Sequence, residues 1–547
     1  MMSTLSTDRL DVVHSSSQRD VHSFRIAIIG CGPRGLQCLE AIFRRVEVSQ
    51  LKRLHIIIFE PTDTLGAGRI YDPSQSHVLK MNLAIQYLDF WRTDKDKQTC
   101  RSMSMVGWLS QHYPDMAMSD QFVPRAIVGE YLHDCFKTVW KSLKQYAFIE
   151  WKRGIVQDLR QADQSWIIDD GLTAERFDHV VVTTGHEGIR ASRISDRVRE
   201  EFVFPVETQL SRDRVSPGTK ILLRGFGLTA IDAILMLTEG REGKFVEGSH
   251  LPVYVKSLQE PSRIDIYSRS GRPMLAKPTA KMEPIQSDFW QPFKADLDGK
   301  LLRHGHLQFQ EDIWFVVIEA AAALLNESGQ SVTAEQVQAW YQGWSRYEMN
   351  FAASRRAMLQ SYDVANGHRP KDIPFALGET WRKLYPEIVG LISHGGLKIE
   401  SWSYYQTTQR EMERIAFGPP AFNVGKLLAL MRTGIVRYCK VPQQSNQDNQ
   451  CDLYDVRLNA VLAAPQEFQS RGLLSNLIAA GVVQIEKTTN AIRINRDGGV
   501  GPHASGLSVF GRATEGWVVG NDTLSRTLHQ HVDNWAETIA AELVKTA

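Results

Sequence analysis

Three glycines in one short stretch, RIAIIGCGPRGLQCLEAIFRR (Arg25–Arg45), are the first residues whose type and spacing could do chemistry. Gly30, Gly32 and Gly35 follow an apolar run and precede an amphipathic one. At that spacing the first glycine makes a tight turn and the second lets the backbone approach a pyrophosphate. The third lets a helix pack closely on a strand, and the helix N-terminus faces the anion. A second apolar run, HIIIFEP, ends on Glu60, where a carboxylate accepts hydrogen bonds from a ribose. Together these residues read as a dinucleotide fingerprint.

The pattern recurs in KILLRGFGLTAIDAILMLTEG (Lys220–Gly240), with Gly225, Gly227 and Thr229 in the turn and Ala230 in place of the third glycine. Its next strand, RIDIYSRSGR, ends on Arg269 and Arg272 instead of an acid. Guanidinium groups there favour a 2'-phosphate, which points to NADP(H) ahead of NAD(H). Two such units with different partners suggest a division of labour, one holding FAD and the other admitting a reduced nicotinamide.

Other reactive residue types give less. Six cysteines are scattered without a C-x-x-C pair, which argues against a zinc knuckle or a dithiol motif and for reduced thiols. His304 and His306, in LLRHGHLQ, lack a third clustered ligand, so no metal site is expected.

The elements that must position these residues are legible from periodicity. Ile26–Ile29 reads as a strand buried on both faces. Leu36, Leu39, Ile42 and Phe43 fall on one helical face, with Arg44 and Arg45 where cations suit the helix dipole. FDHVVVTTGH (Phe177–His186) is a buried strand running into a glycine turn, and residues 241–262 read as an inserted loop. From 276 to 430 the composition shifts to Trp, Tyr, Gln, Ala and Leu with helical periodicity, suggesting a helical insertion able to act as a lid.

The expected fold class is therefore α/β, with two Rossmann-like dinucleotide-binding domains and a helical insertion. Residues 1–23 read as a frayed polar tail and 24–215 as the first part of the FAD-binding domain. Residues 216–275 begin the NAD(P)H-binding domain, which returns at 431–465, and 466–547 complete the FAD-binding domain. At 547 residues, two or three interleaved domains are expected. The 63 basic and 62 acidic residues give no reason to expect nucleic acid or an anionic membrane as partner. No apolar run approaches the roughly 20 residues of a membrane span, and the N-terminus lacks a signal-peptide core, so a cytoplasmic location is expected.

Several segments together resemble the FAD-NAD(P)-binding family of two-dinucleotide-binding-domain flavoproteins, which contains FAD-dependent urate hydroxylases and the aspartate N-monooxygenases called nitrosuccinate synthases. They are IAIIGCGPRGLQCLE, LGAGRIYDPSQSHVLKMNL (Leu65–Leu83), FVPRAIVGEYL (Phe122–Leu132), VVVTTGH, LLRGFGLTAIDAIL, ERIAFGPPAF (Glu413–Phe422) and LSVFGRATEG (Leu507–Gly516). The resemblance implies that Gly30, Gly32, Pro33 and Gly35 face the FAD pyrophosphate and Glu60 its adenosine ribose. It places Gly66, Gly68 and Arg69 near the phosphates, Met81 and Asn82 on the flavin side, and the backbone of Val156 at the adenine. It makes Thr184 and Gly185 the turn between domains and brings Gly511 to the flavin end. Arg512 stands where many such flavoproteins carry Asp, and could stabilise a reduced, anionic flavin. The F-x-G-x-x-x-H motif of flavin-containing monooxygenases and the C-x-x-x-x-C of disulfide reductases are missing.

The leading expectation is an FAD-dependent, NADPH- or NADH-consuming monooxygenase acting on a small nitrogen-containing metabolite, an amino-acid amine or a purine. The alternatives are a flavin reductase or dehydrogenase that does not activate oxygen, and a non-catalytic flavin-binding module. The catalytic candidates are His186, Arg512 and Asn82. Lys277, Lys281, Arg303, His304, His306, Arg369 and His394 are available as anchors for a polar substrate. The partners expected are that substrate and molecular oxygen, with self-association left open.

Overall fold

The computed structural model describes residues 23–91, 103–119, 122–169, 174–185, 193–195, 198–279, 285–439, 453–462, 472–521, 524 and 526–545. His186, Lys281, Cys100, Cys451, the polar loop 442–450 and the N-terminal 22 residues lie outside them. The fold is mixed α/β, built around two parallel five-stranded sheets. In chain order their strands are β1 (Phe24–Ile29), β2 (Leu54–Phe59), β3 (Phe148–Lys152), β4 (His179–Val182), β5 (Glu201–Phe202), β6 (Lys220–Arg224), β7 (Arg263–Tyr267), β8 (Val436–Tyr438), β9 (Val456–Asn459) and β10 (Leu507–Val509).

The first sheet runs β10-β4-β1-β2-β3 and the second β5-β9-β6-β7-β8. Every pairing in both is parallel. Successive side chains of a strand face opposite sides, so a sheet covered on both faces must be apolar at every position. In β1, Ile26 and Ile28 pack with Leu36, Leu39 and Ile42 of α1 (Pro33–Arg45) and with α2 (Arg125–Leu143). Ala27 and Ile29 face the other way, onto an antiparallel meander at 159–177 and onto Ile492 and Ile494.

In the second sheet Ile221, Leu223, Ile264 and Ile266 pack with Ile231 and Ile234 of α3 (Leu228–Thr238). Residues 241–262, which read as a loop, carry a short antiparallel hairpin, Lys244–Val246 with Val253–Val255. The helical segment then supplies α4 (Ser287–Gly299), α5 (Phe315–Glu327), α6 (Ala334–Arg346), α7 (Phe351–Ala365), α8 (Ile373–Ile392), α9 (Trp402–Ala416) and α10 (Ala421–Thr433). Much of it has its own aromatic core, in which Trp314 lies 4.6 Å from Tyr341 and Phe309 5.2 Å from Tyr405, ring centre to ring centre. Helix α10 is different. Val424, Leu427 and Leu428 join the core of the second sheet, so α10 is the crossover helix between β7 and β8. Composition alone grouped it with the insertion.

The final helix, α11 (His531–Lys545), returns to the beginning of the chain and packs along α1. The two are joined by buried charges. Glu40 accepts from Arg44 Nε at 3.2 Å and from Arg526 at 2.7 Å, and the Arg44 guanidinium also meets Asp533. Arg44 stands in the last turn of α1, as read from its position, and its side chain is enclosed between Glu40 of the same helix and Asp533 of α11. The two nucleotide-type units are held together by an Arg125–Asp232 pair at 2.7 Å between α2 and α3. No helix among the described residues is long and apolar enough to cross a membrane.

Removing one member of a buried charge cluster leaves the others uncompensated, at a cost of about 3–5 kcal/mol. Glu40→Ala is therefore expected to lower stability by about 3 kcal/mol or more, seen as a lower thermal midpoint and a lower urea midpoint. A change within about 0.5 kcal/mol, typical of a surface site, would show that the cluster is solvated instead.

Candidate functional site

The turn after β1 is held so tightly that two of its glycines, Gly30 and Gly35, leave no room for a side chain. Gly30 has φ +87°, its N–H donates to Phe59 O at 2.8 Å, and a Cβ there would lie 2.8 Å from Thr183 O. A Cβ on Gly35 would stand 2.4 Å from the Gly30 carbonyl oxygen. Strand and helix thus approach as closely as backbone allows. Thr183, at the end of β4, locks the arrangement: its N–H donates to Ile29 O at 2.8 Å and its hydroxyl to Gly30 O.

Pro33 is the first residue of α1, so the first helical position has no N–H to leave unsatisfied, and the remaining amides of the first turn point out of the helix mouth. Over that mouth lies the 65–68 loop. Gly66 (φ +92°) donates to Cys31 O at 2.6 Å, and a Cβ on Gly32 would meet Gly68 Cα at 3.5 Å. Glu60 follows β2 and is buried. One carboxylate oxygen accepts from Cys31 N at 2.8 Å and the other from Thr62 N at 3.0 Å. Thr62 Oγ1 also donates to the second of these oxygens, at 2.7 Å, so the side chain is aimed and its first oxygen keeps a lone pair for a ribose hydroxyl. A side-chain-free mouth at a helix N-terminus beside a fixed carboxylate is the donor and acceptor set that a diphosphate and a ribose require. The residues present fit a dinucleotide.

The second unit repeats the first in detail. Gly225 (φ +116°) donates to Tyr267 O at 2.8 Å, as Gly30 does to Phe59 O, and its Cβ would lie 3.2 Å from the Ala460 carbonyl. A Cβ on Gly227 would meet nothing within 4 Å, so the mouth of α3 is open there, with Thr229 in its first turn. The two arginines after β7 part company. Arg269 is exposed. Arg272 is engaged elsewhere, its Nε and Nη2 forming a two-pronged contact with Glu411 of α9 at 2.9 and 2.8 Å. It ties the helical segment to the second sheet, and of the two only Arg269 stands clear to meet a phosphate.

A third cluster forms where the two units and the helical segment converge. The Lys277 ammonium donates to the backbone oxygen of Asn82 and lies 5.9 Å from the centre of the Phe417 ring. Asn82 Nδ2 reaches Phe417 O at 3.4 Å. Arg382 of α8 donates to Ala416 O at 2.5 Å and pairs with Glu379 at 2.6 Å. Burial, reinforced by the Arg382 charge, pushes the Lys277 pKa down to about 7. A lysine able to gain or lose its proton near neutrality is thus set beside Asn82.

The C-terminal segment completes this region. A Cβ on Gly511 would lie 3.3 Å from Arg34 Cγ, Arg34 donates to Asn521 O at 3.0 Å, and Asn521 donates to Gly511 O at 3.0 Å. The same segment reaches α8 through Val519 N, which donates to Ser393 Oγ at 3.1 Å. Arg512, in the short helical turn after Gly511, is therefore carried next to the N-terminal turn of α1.

Of the residues singled out in the sequence, Gly30, Gly32, Pro33, Gly35, Glu60, Gly66 and Gly68 stand together at the first turn. Met81 is buried one residue before Asn82, Val156 is buried against β2, and Arg69 is exposed. Thr184 and Gly185 follow directly on Thr183, the residue that the sequence reading passed over. Its signal was its place as the last residue before TGH at the end of an apolar strand. Three of the proposed anchors are committed elsewhere: Arg303 pairs with Asp312, His304 bonds Ser393 O, and Arg369 lies by Asp363.

Comparison with known proteins agrees with this geometry. Residues 27–187, which span both partners of the first turn, match the FAD-NAD(P)-binding family model. The chain is 27% identical over 367 residues to an L-aspartate N-monooxygenase (nitrosuccinate-forming) of Streptomyces davaonensis, covering 57% of this chain and 55% of that protein. It is also 27% identical over 268 residues to a nitrosuccinic acid synthase of Aspergillus oryzae, covering 46% and 41%. The chain spans about half the length of the curated relatives it matches. A solved Kutzneria sp. 744 ornithine N-hydroxylase superposes with a TM-score of 0.44 at 12% identity, over 96% of this chain and all of that one. The matched stretch contains the strands, helix and turn that carry Gly30, Glu60 and Thr183.

Lys277 offers a test of the third cluster. Its folded pKa lies below the unfolded value, so the unfolded chain binds more protons between about pH 7 and the ordinary lysine range. The stability cost of burying the ammonium is full below that window and fades as pH rises through it. Lys277→Met is expected to stabilise the protein most at pH 6 and progressively less towards pH 10, the difference narrowing by about 1.4 kcal/mol per pH unit inside the window, measured as paired thermal midpoints. A difference that does not change with pH would mean that the ammonium is solvated.

Proposed function

We propose that the chain is an FAD-dependent monooxygenase that consumes NAD(P)H and oxygenates the nitrogen of a small metabolite. The observation that carries this reading is the duplicated turn with unlike neighbours: Gly30 and Gly225 are held by equivalent bonds, yet the strand beside the first is followed by the buried carboxylate of Glu60, whereas the exposed Arg269 comes two residues after the strand beside the second. The relatives named as N-monooxygenases support the reaction class.

In this reading Gly30, Gly32, Pro33 and Gly35 receive the FAD diphosphate, with Gly66 and Gly68 closing over it, and Glu60 takes the adenosine ribose. Gly225, Gly227, Thr229 and Arg269 receive the nicotinamide dinucleotide, Arg269 selecting the phosphate-bearing form. Bound FAD would supply electron transfer and oxygen activation, which no side chain can provide. The chain's own residues bind, orient and exclude water. Lys277 presents a titratable cation beside Asn82, suited to anchoring an anionic group of the substrate or to moving a proton during the reaction. The Phe417 and Tyr385 rings, 5.2 Å apart, form an apolar wall, and the segment 511–521 closes the side towards α1. Arg512 is carried by that segment. The substrate class is a small amine or purine, and molecular oxygen is the co-substrate.

The direct test is to purify the protein, record its flavin absorbance, add NADPH or NADH, and screen amino acids, amines and purines for stimulated NAD(P)H oxidation. Label from isotopic oxygen gas should appear in the product. Flavin reduction without substrate-dependent oxygen incorporation would replace the reading by a dehydrogenase, and the absence of reduction by either nicotinamide by a binding module.

Two variants separate the halves of the site. Gly35→Ala forces helix and strand apart at a cost of about 1–3 kcal/mol, so FAD retention should weaken by roughly tenfold or more. Arg269→Ala should raise the KM for NADPH by about tenfold while leaving that for NADH unchanged, since a charge-assisted hydrogen bond contributes about 1.5–3 kcal/mol. Equal effects on both nicotinamides would remove Arg269 from phosphate recognition.

A further inference from the structure

Outside this site, one group of side chains has no part in the proposed chemistry. His250 lies in the hairpin of the second unit, between Val246 and Val253, while Asp363 stands in the last turn of α7 and His368 just beyond it. The imidazole nitrogens and a carboxylate oxygen of these three residues lie within 4.8 Å of one another. We propose that His250, Asp363 and His368 form a site for one divalent transition-metal ion, with zinc as the favoured occupant, which fastens the hairpin to the end of α7.

Electrostatics supports a cation at this position. Asp363 is 5% exposed and lies in the carboxyl-terminal turn of a helix, where a negative side chain adds to the negative end of the dipole. Its carboxylate therefore calls for positive charge. What surrounds it is His250 Nε2 at 2.6 Å and Arg369 Nε at 3.4 Å, the arginine side chain being 59% exposed and free to swing outward. A metal ion would take the place of the direct contact between His250 Nε2 and Asp363 Oδ1.

The ligands are also positioned for it. The His368 N–H donates to Asp363 O at 2.8 Å, fixing the turn that brings imidazole and carboxylate to one side. The Tyr362 hydroxyl donates to His250 O at 3.1 Å, fixing the other strand of the clip. Both histidines are exposed, so an ion can enter and a water can take the fourth position. With metal–ligand bonds of about 2.0–2.2 Å, ligand atoms in a tetrahedral site stand about 3.4 Å apart, so closing the cluster needs rotation of about 1 Å in exposed rings. Two imidazoles and one carboxylate suit zinc and its neighbours, not magnesium or calcium.

The clip would also act on what lies beside it. Ser361 Oγ accepts from Ala276 N at 3.2 Å and Ala365 O from Thr279 N at 3.1 Å, so the turn carrying Asp363 also holds the segment on which Lys277 stands.

The experiment uses the full chain, freed of metal by dialysis against a chelator and then titrated with Zn2+ by calorimetry and with Co2+ by visible absorption. One equivalent should bind, with imidazole-nitrogen ligation in the Co2+ spectrum, and Zn2+ should raise the thermal midpoint. His250→Ala and His368→Ala should each weaken Zn2+ by about tenfold or more and abolish the thermal shift, while keeping the circular-dichroism spectrum of the parent. His306→Ala, an exposed histidine of the helical segment, should bind as the parent does. The proposal is overturned if no stoichiometric uptake occurs, if uptake survives both His250→Ala and His368→Ala, or if it is lost with His306→Ala instead.

Discussion

The approach of α1 to β1 constrains everything else. The Gly30 carbonyl and the Gly35 backbone lie so close that no Cβ fits between them, and Thr183 clamps the same carbonyl from β4. This contact sets where the first turn of α1 points, how near the 65–68 loop can come, and which side of Glu60 remains open. Apolar strands buried on both faces make the contact affordable in backbone terms, because α1 and α11 cover one side while the meander and the later segments cover the other.

The second unit repeats this frame with one relaxation. Ala230 occupies the place of the third glycine, and the mouth of α3 is open around Gly227, whereas Gly68 covers Gly32. A covered mouth suits a group that stays, and an open one a group that comes and goes. The Arg125–Asp232 pair between α2 and α3 fixes the distance between the two mouths, and burial pushes the Asp232 pKa up against the pull of Arg125. The third cluster, around Lys277, sits in the seam that results.

Most of the frame was legible in the sequence because it rests on local rules. Glycine spacing, apolar runs and the acid or arginine at the next strand's end are short-range signals, and Gly30, Glu60 and Gly225 occupy the places they imply. What was hidden depends on chain segments far apart. Arg272 read as a ligand for phosphate, yet Glu411 on α9 claims it. Arg44 is the helix-end cation that its position implies, but its pairing with Asp533, 489 positions away, was not legible. Helix α10 read as insertion, since composition does not say which sheet a helix covers. The His250–Asp363–His368 group was hidden for the same reason: His304 and His306 are neighbours in sequence, whereas the clustered residues are brought together only by the packing of α7 beside the hairpin.

The charges joining α1 to α11 have a consequence for how the chain is made. The first sheet needs β10, and the guanidinium of Arg44 needs Asp533, so the unit that begins with β1 is finished only by segments made long after it, 489 positions later for Asp533. All five strands of the second sheet lie between residues 201 and 459, inside that interval, and all are available earlier. During synthesis the inner unit can therefore close first, while the outer unit waits with unpaired charges and an open sheet edge. The order of assembly runs from the middle of the chain outward, the reverse of the order in which its two fingerprints are read.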